Sequence, residues 1–397
     1  MPRVLRILNR FNLGGPTYNA AYLTKYMSPD FETVLVGGSN DASEKNSEYI
    51  VKNLGVDPLI IPQMHREISP AKDYKAYQEL KKLIRRFKPD IVHTHASKAG
   101  ALGRHAAITC KVPVIVHTFH GHVFDAYFSQ WKSSFYRNLE RYLAGKSSGI
   151  IAISEKQKED LTIKYRVCHE EKVKVIPLGF DLAKFREGSE GKRIAFREKY
   201  FIDDDEIAIG IVGRLVPIKN HSMFLEAFNI LQKKSKRKVR AFIVGDGECR
   251  QNIQNKANEL GIDFVNGVEP YRKATLTFTS WLTDMDRVNA GMDIIALTSL
   301  NEGTPVSLIE AQASGKPIVS TCVGGIENVV MPGKTALLAT NNTSVDFADK
   351  LFELTENDNL RAEFACQGWD FVKARFHYTR LINEMADYYY ELMEKNI

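Results

Sequence analysis

Short runs of valine, isoleucine and leucine, most of them without polar residues at alternate positions, recur between longer stretches of helical character. They fall at Val4–Leu8, Thr33–Val36, Ile91–Thr94, Val114–Thr118, Ile150–Ile153 and Val173–Ile176. A strand that is apolar throughout suits burial on both faces, and a parallel sheet wrapped by helices provides that. After Pro177-Leu-Gly-Phe-Asp181 comes the charged stretch Arg186–Arg193, which reads as a linker. The alternation then restarts at Ile207–Val212, Ala241–Val244, Thr275–Phe278, Asp293–Thr298, Ile318–Thr321 and Ala336–Leu338. The expectation is an α/β protein of two Rossmann-like doubly wound domains, residues 1–180 and 181–375, facing each other across a cleft. Ligand chemistry is then expected at the carboxyl ends of the strands. A length of 397 residues accords with two domains.

One stretch stands out as a ligand corner: Thr298-Ser-Leu-Asn-Glu302-Gly303-Thr304-Pro305-Val306-Ser307-Leu-Ile-Glu310. An apolar strand breaks at Asn301-Glu302-Gly303 and restarts as a helix, with Thr304 expected as N-cap and Pro305 at the first helical position. The next two positions, Val306 and Ser307, carry no acid to complement the helix dipole. The backbone amides are therefore open to an outside anion such as a phosphate. Glu302 before the turn and Glu310 about two turns inside the helix are placed to accept hydrogen bonds from ligand hydroxyls. The bland alternative is an ordinary capped helix with two solvated acids.

Four further groups accompany this corner. Asn12-Leu13-Gly14-Gly15-Pro16 follows the first strand, and its glycines suit either close approach to a ligand or simply a tight turn. Gly213-Arg214-Leu-Val-Pro-Ile-Lys219 follows the first strand of the second half. Arg214 as a planar fork and Lys219 as a point charge suit a diphosphate there, although basic loop residues are often only solvated. Gly245-Asp-Gly247 begins a dinucleotide fingerprint but continues to Arg250, so nicotinamide chemistry is disfavoured. Histidines crowd His93-Thr-His95 and His117-Thr-Phe-His120-Gly-His122. A metal site is conceivable at that spacing, but no carboxylate pair accompanies it, and His120 reads better as a polar group facing the cleft.

The net charge of +6, from 54 basic and 48 acidic residues, argues against a dedicated nucleic-acid binder and leaves room for anionic small molecules or an anionic membrane surface. Five scattered cysteines with no CxxC pair point to a reducing compartment, hence a cytoplasmic protein. With no apolar run approaching the length of a spanning helix, membrane contact is expected to be peripheral, at the inner face of the plasma membrane. The basic run Lys81–Lys88 and the aromatic-basic stretch Phe124–Tyr142 are candidates for it. Wet helix faces and core packing are the plainer readings of the two.

With these pieces placed, the chain resembles the retaining glycosyltransferases of family 4, which have the GT-B fold. The likeness covers essentially the whole chain. It rests most on Glu302-(x7)-Glu310, with Gly14-Gly15, the His120 loop, Gly213-Arg214 with Lys219, and Gly324-Gly325 in support. The resemblance implies sugar transfer from a nucleoside diphosphate sugar, by family frequency a UDP-sugar, to a glycan or lipid-linked acceptor. It also implies retention of configuration, no cofactor, no metal and no nucleic-acid partner. Carried over by position, Arg214 and Lys219 hold the diphosphate, Glu310 the ribose and Glu302 the sugar hydroxyls. Gly303, Thr304, Pro305, Val306 and Ser307 offer amides, Gly245 lines the donor site and Trp281 stands near the base. Gly14, Gly15 and His120 face the acceptor, with His120 beside the reacting centre and Gly15 also near the donor. The last helix, residues 376–397, is expected to cross back to the first domain. The segment before Trp281 departs from the family's usual glycine, and Asn266–Lys273 looks like an insertion. An epimerase of the same architecture and a non-catalytic nucleotide-sugar binder are the alternatives.

Overall fold

The structure, a computed structural model, describes all residues except 12–14, 39–47, 66–67, 122–129, 268–271 and 396–397, with backbone alone at 48–50 and 130–132. Contacts divide the chain into two compact units, Met1–Phe180 with Arg375–Ile397, and Asp181–Ala374.

The first unit holds β1 (Arg3–Arg10), β2 (Glu32–Gly38), β3 (Leu59–Ile60), β4 (Ile91–His95), β5 (Val114–Phe119), β6 (Gly149–Ala152) and β7 (Val173–Val175). They pair in the order β3-β2-β1-β4-β5-β6-β7. The second holds β8 (Glu206–Val212), β9 (Lys238–Val244), β10 (Phe264–Asn266), β11 (Leu276–Ser280), β12 (Ile294–Leu297), β13 (Ile318–Thr321) and β14 (Ala336–Ala339), ordered β10-β11-β9-β8-β12-β13-β14. Every pairing is parallel. Strands β4, β5, β12 and β13 are buried along their whole length, as unalternated apolar runs require. The α/β expectation of two doubly wound sheets therefore holds. The order reverses between β1 and β4 and again between β8 and β12, leaving the loops beyond their carboxyl ends free to form ligand crevices. Two short strands, β3 and β10, are absent from the sequence reading.

The Tyr378–Lys395 helix lies on the first sheet, burying Leu381, Met385, Tyr388, Tyr389 and Leu392 against Val4, Ile91, Val116 and Ile151 of four strands. Backbone bonds tie it in: Phe180 donates to Phe376 (2.7 Å) and Tyr378 to Phe180 (3.0 Å). Gly179 is needed here, because a Cβ would stand 2.7 Å from Leu381 Cβ and 2.9 Å from Tyr378 Cα.

The charged stretch after Asp181 is not a linker. Ser189–Lys199 is a helix of the second unit. Arg193 and Arg197 reach the two oxygens of Asp293 at 2.8 and 3.1 Å, and Arg197 also donates to the Glu206 carbonyl at 2.9 Å. These two arginines stitch the helix to the start of β8 and β12, where Asp293 also accepts from the Ala208 amide at 2.8 Å.

Candidate functional site

The second sheet's reversal point brings together two loops, the one after β8 and the one after β12. They are sewn by backbone: the Leu300 amide donates to the Ile218 carbonyl (2.8 Å), and Thr298 Oγ1 donates to the Lys219 and Asn220 carbonyls (3.0 Å each). This places Lys219 Nζ 2.5 Å from Glu302 Oε1, and the same oxygen accepts from Ser299 Oγ at 2.5 Å. The cation expected at the diphosphate and the carboxylate expected at the sugar are thus paired with each other. Arg214, in the same loop, is exposed, and its side chain has no hydrogen-bond or ion-pair partner among the described residues.

Neighbouring loops close on this corner through glycine. A Cβ on Gly324 would meet the Glu302 carbonyl at 2.1 Å and one on Gly325 the Gly303 carbonyl at 1.9 Å. Gly324 also sits at φ +56, and the Gly325 amide donates to Glu302 (2.9 Å). On the other side a Cβ on Gly245, at φ +141, would lie 1.9 Å from the Gly213 carbonyl, so the loops after β8 and β9 touch backbone to backbone. Gly245 in turn donates to Ser280 (3.0 Å), which carries the chain into the half-buried Trp281.

The helix beyond Glu302 runs Val306–Ala313 with Pro305, at φ −71 and ψ 100, as its N-cap. This corrects the expected start: Pro305 is itself extended rather than helical, and its carbonyl takes the first bond of the helix from the Leu308 amide (3.1 Å), which leaves Thr304 one residue outside. No acid stands in the first turn, so the Val306 and Ser307 amides have no dipole-complementing carboxylate of their own. Glu310 consequently stands just over one turn in, rather than two. Its carboxyl has no hydrogen-bond partner among the described residues, and burial pushes it up to about 7, against a smaller opposing pull from Lys184.

In the first unit His120 follows β5, and its Nε2 lies 3.0 Å from His95 Nδ1 at the end of β4. Its Nδ1 is buried without a partner among the described residues, and burial holds the ring down at about 3. His93 bonds Tyr389 (2.6 Å) and Thr118 (2.7 Å), and His117 bonds Thr94 (2.8 Å). Burial also holds His93, His95 and His117 well below the ordinary histidine range. No group of three His, Cys, Asp or Glu side chains among the described residues is arranged to hold a metal. Gly15 opens the Gly15–Tyr26 helix, and a Cβ there would approach Leu178 Cδ1 at 3.0 Å. Gly14, His122 and the aromatic stretch up to residue 129 lie outside the described residues, as do 268–271 of the suspected insertion. Phe135 and Tyr142 are 57% and 53% exposed on the Gln130–Lys146 helix, which removes Phe135 from the core.

Residues 14–184 match the family model of glycosyltransferase family 4, and residues 192–368 match that of the group 1 glycosyl transferases. An Escherichia coli relative, UDP-Gal:alpha-D-GlcNAc-diphosphoundecaprenol alpha-1,3-galactosyltransferase, is 31% identical over 308 residues, covering 77% of this chain and 76% of that protein. The chain belongs to the group 1, family 4 glycosyltransferases. The capsular polysaccharide biosynthesis glycosyltransferase CapM of Staphylococcus aureus is 24% identical over 85% of this chain and 86% of its own. Anabaena HepE, solved in complex with UDP, superposes with a TM-score of 0.79 at 19% identity, covering 98% of this chain and all of that one, which shows the GT-B fold.

Within this glycosyltransferase the residues carried over from the family do not act singly. Lys219, Glu302 and the Gly303–Ser307 turn form one assembly, with Gly245 and Trp281 joined to it through the Gly213 loop. Ser299 was missed by sequence reasoning although it adjoins the turn. Its place three residues before Glu302 was the available signal, and only the folded turn shows its hydroxyl on the carboxylate. His221 was missed as well: it is buried at the start of the next helix with neither ring nitrogen bonded among the described residues, and burial holds it at about 4.

Proposed function

We propose that this glycosyltransferase moves a hexose from a UDP-sugar to a hydroxyl of a lipid-linked glycan, with retention and without a metal, in the synthesis of a cell-surface polysaccharide. The observation that carries the reading is the corner at Gly303–Ser307: an acid-free helix terminus, a glycine facing open space, and a carboxylate and a cation within one hydrogen bond of each other. The names of the relatives support the donor and acceptor classes, the Escherichia coli protein using a UDP-hexose and a diphosphoundecaprenol-linked sugar.

In this reading Arg214, Lys219 and the Val306 and Ser307 amides take the charge that builds on the departing diphosphate. The sugar becomes cation-like next to Glu302, and Glu310 receives the ribose. Trp281 and Gly245 border the base, and His120 with Gly14 and Gly15 serve the acceptor side. Among the described residues no carboxylate is placed as a convincing covalent nucleophile, so in this reading the leaving phosphate accepts the acceptor's proton on the same face. Loss of one charge-stabilising donor commonly costs about 3 kcal/mol of barrier. Arg214→Ala should therefore lower kcat/KM by roughly a hundredfold or more at unchanged melting temperature; unchanged kinetics would remove Arg214 from the site.

The reading also includes peripheral attachment at the cytoplasmic face of an anionic membrane. Among the described residues no helix is long and apolar enough to cross a bilayer. The Pro70–Phe87 helix buries Ala76, Leu80 and Ile84 and carries Lys81, Lys82, Arg85 and Arg86. The direct test incubates the purified protein with labelled UDP-hexoses and a polyprenyl-diphosphate sugar and reads the new linkage by NMR. An α-linked product from an α-linked donor is expected. Epimerised donor formed with no acceptor present, or UDP binding without turnover on any acceptor, would overturn it.

A further inference from the structure

Lys219 and Glu302 have side chains only 21% and 11% exposed, and their 2.5 Å contact is held by loops sewn together through backbone. An ion pair in that setting is neither flexible nor well screened. An anion that pairs with the lysine therefore comes close to the carboxylate, which the Ser299 hydroxyl also holds at 2.5 Å. We infer that Glu302 is a selectivity element: it sets a charge penalty against a bare nucleoside diphosphate, which only a sugar-bearing donor relieves. The inference rests on the donor-site reading above and deepens it.

The reasoning is electrostatic. A nucleoside diphosphate draws on Lys219 and in doing so leaves Glu302 without its counter-charge, close to phosphate oxygens. The spent product carries about one negative charge more than the sugar diester near neutral pH, since a terminal phosphate loses its second proton near pH 6. It therefore suffers the larger repulsion. A donor brings hydroxyls that donate to the carboxylate in place of the lysine, so the partners exchange without stranding a charge. The same residue that reads the sugar thereby helps expel the product once the sugar has left.

The test is calorimetric titration of the full chain with UDP and with UDP-galactose, for wild type, Glu302→Gln and Glu302→Ala, with circular dichroism confirming the fold of each. Removing the charge should tighten UDP about fivefold while UDP-galactose loses its advantage over UDP. UDP inhibition of turnover in wild type should also weaken as the terminal phosphate ionises. UDP bound equally or more weakly by both variants would overturn the inference and leave the donor site standing. A wild type that binds neither UDP nor UDP-galactose would overturn the donor-site reading itself, and the inference with it.

Discussion

Gly303 has nothing within 4 Å of the point where a Cβ would stand. No described atom crowds a side chain there, unlike at Gly324 or Gly245, and on the proposed donor-site reading that space receives the ligand. Gly303→Ala should leave stability within about 0.5 kcal/mol of wild type while weakening donor binding at least tenfold, read by thermal unfolding beside calorimetry. Glu310 offers a second test at this scale. Its folded value of about 7 lies above the ordinary 4.5, so the folded chain keeps a proton that the unfolded chain releases between those values. The resulting stabilisation is whole below pH 4.5 and gone above about pH 7. Glu310→Gln, which is permanently neutral, should match wild type in acid and exceed it by on the order of 2 kcal/mol at pH 8 in urea titrations. A gap that stays constant with pH would refute the assignment. The sequence exposed the residue types of this corner, but the pairing of Lys219 with Glu302 depends on where two loops 83 residues apart are brought by neighbouring strands.

Among the elements, the Tyr378–Lys395 helix packs Leu381, Met385, Tyr388, Tyr389 and Leu392 into the core of the first unit. It closes one face of the sheet, and Tyr389 meets both the buried Arg6 guanidinium and His93. Leu381, fully buried against the strands, should cost about 2–5 kcal/mol on truncation to alanine. Denaturant unfolding followed by hydrogen exchange would check this, with protection lost in β1, β4 and β5 and retained in β8 and β12. The amphipathic spacing of this helix was legible in sequence. The Ser189–Lys199 helix was not, because its arginines look solvated until Asp293, about a hundred residues on, is seen to receive them. The short strands β3 and β10, of two and three residues, carry too few side chains to show a period.

On the scale of the whole molecule, the two units differ in their response to acid. Four histidines of the first unit are held in their neutral form by burial, with His120 at about 3 and His93, His95 and His117 well below 6.5. Each contributes stability that is complete above pH 6.5 and lost as pH falls, because the unfolded chain takes up protons that the buried rings refuse. The second unit has His221 alone with such a resolved shift. Hydrogen exchange at pH 5 against pH 7.5 should therefore show the first unit opening first; uniform loss across both would contradict this. Sequence alone determined the class of fold and its doubling, because an apolar strand buried on both faces admits a parallel wrapped sheet whatever else the chain does. It also determined which residue types gather after each strand. Tertiary structure alone decided which of those side chains meet, that Pro305 and not Thr304 caps the Val306–Ala313 helix, and that Glu302 is already paired with Lys219. Such contacts depend on the order in which strands lie side by side, and that order is fixed by long-range packing rather than by any local run of residues.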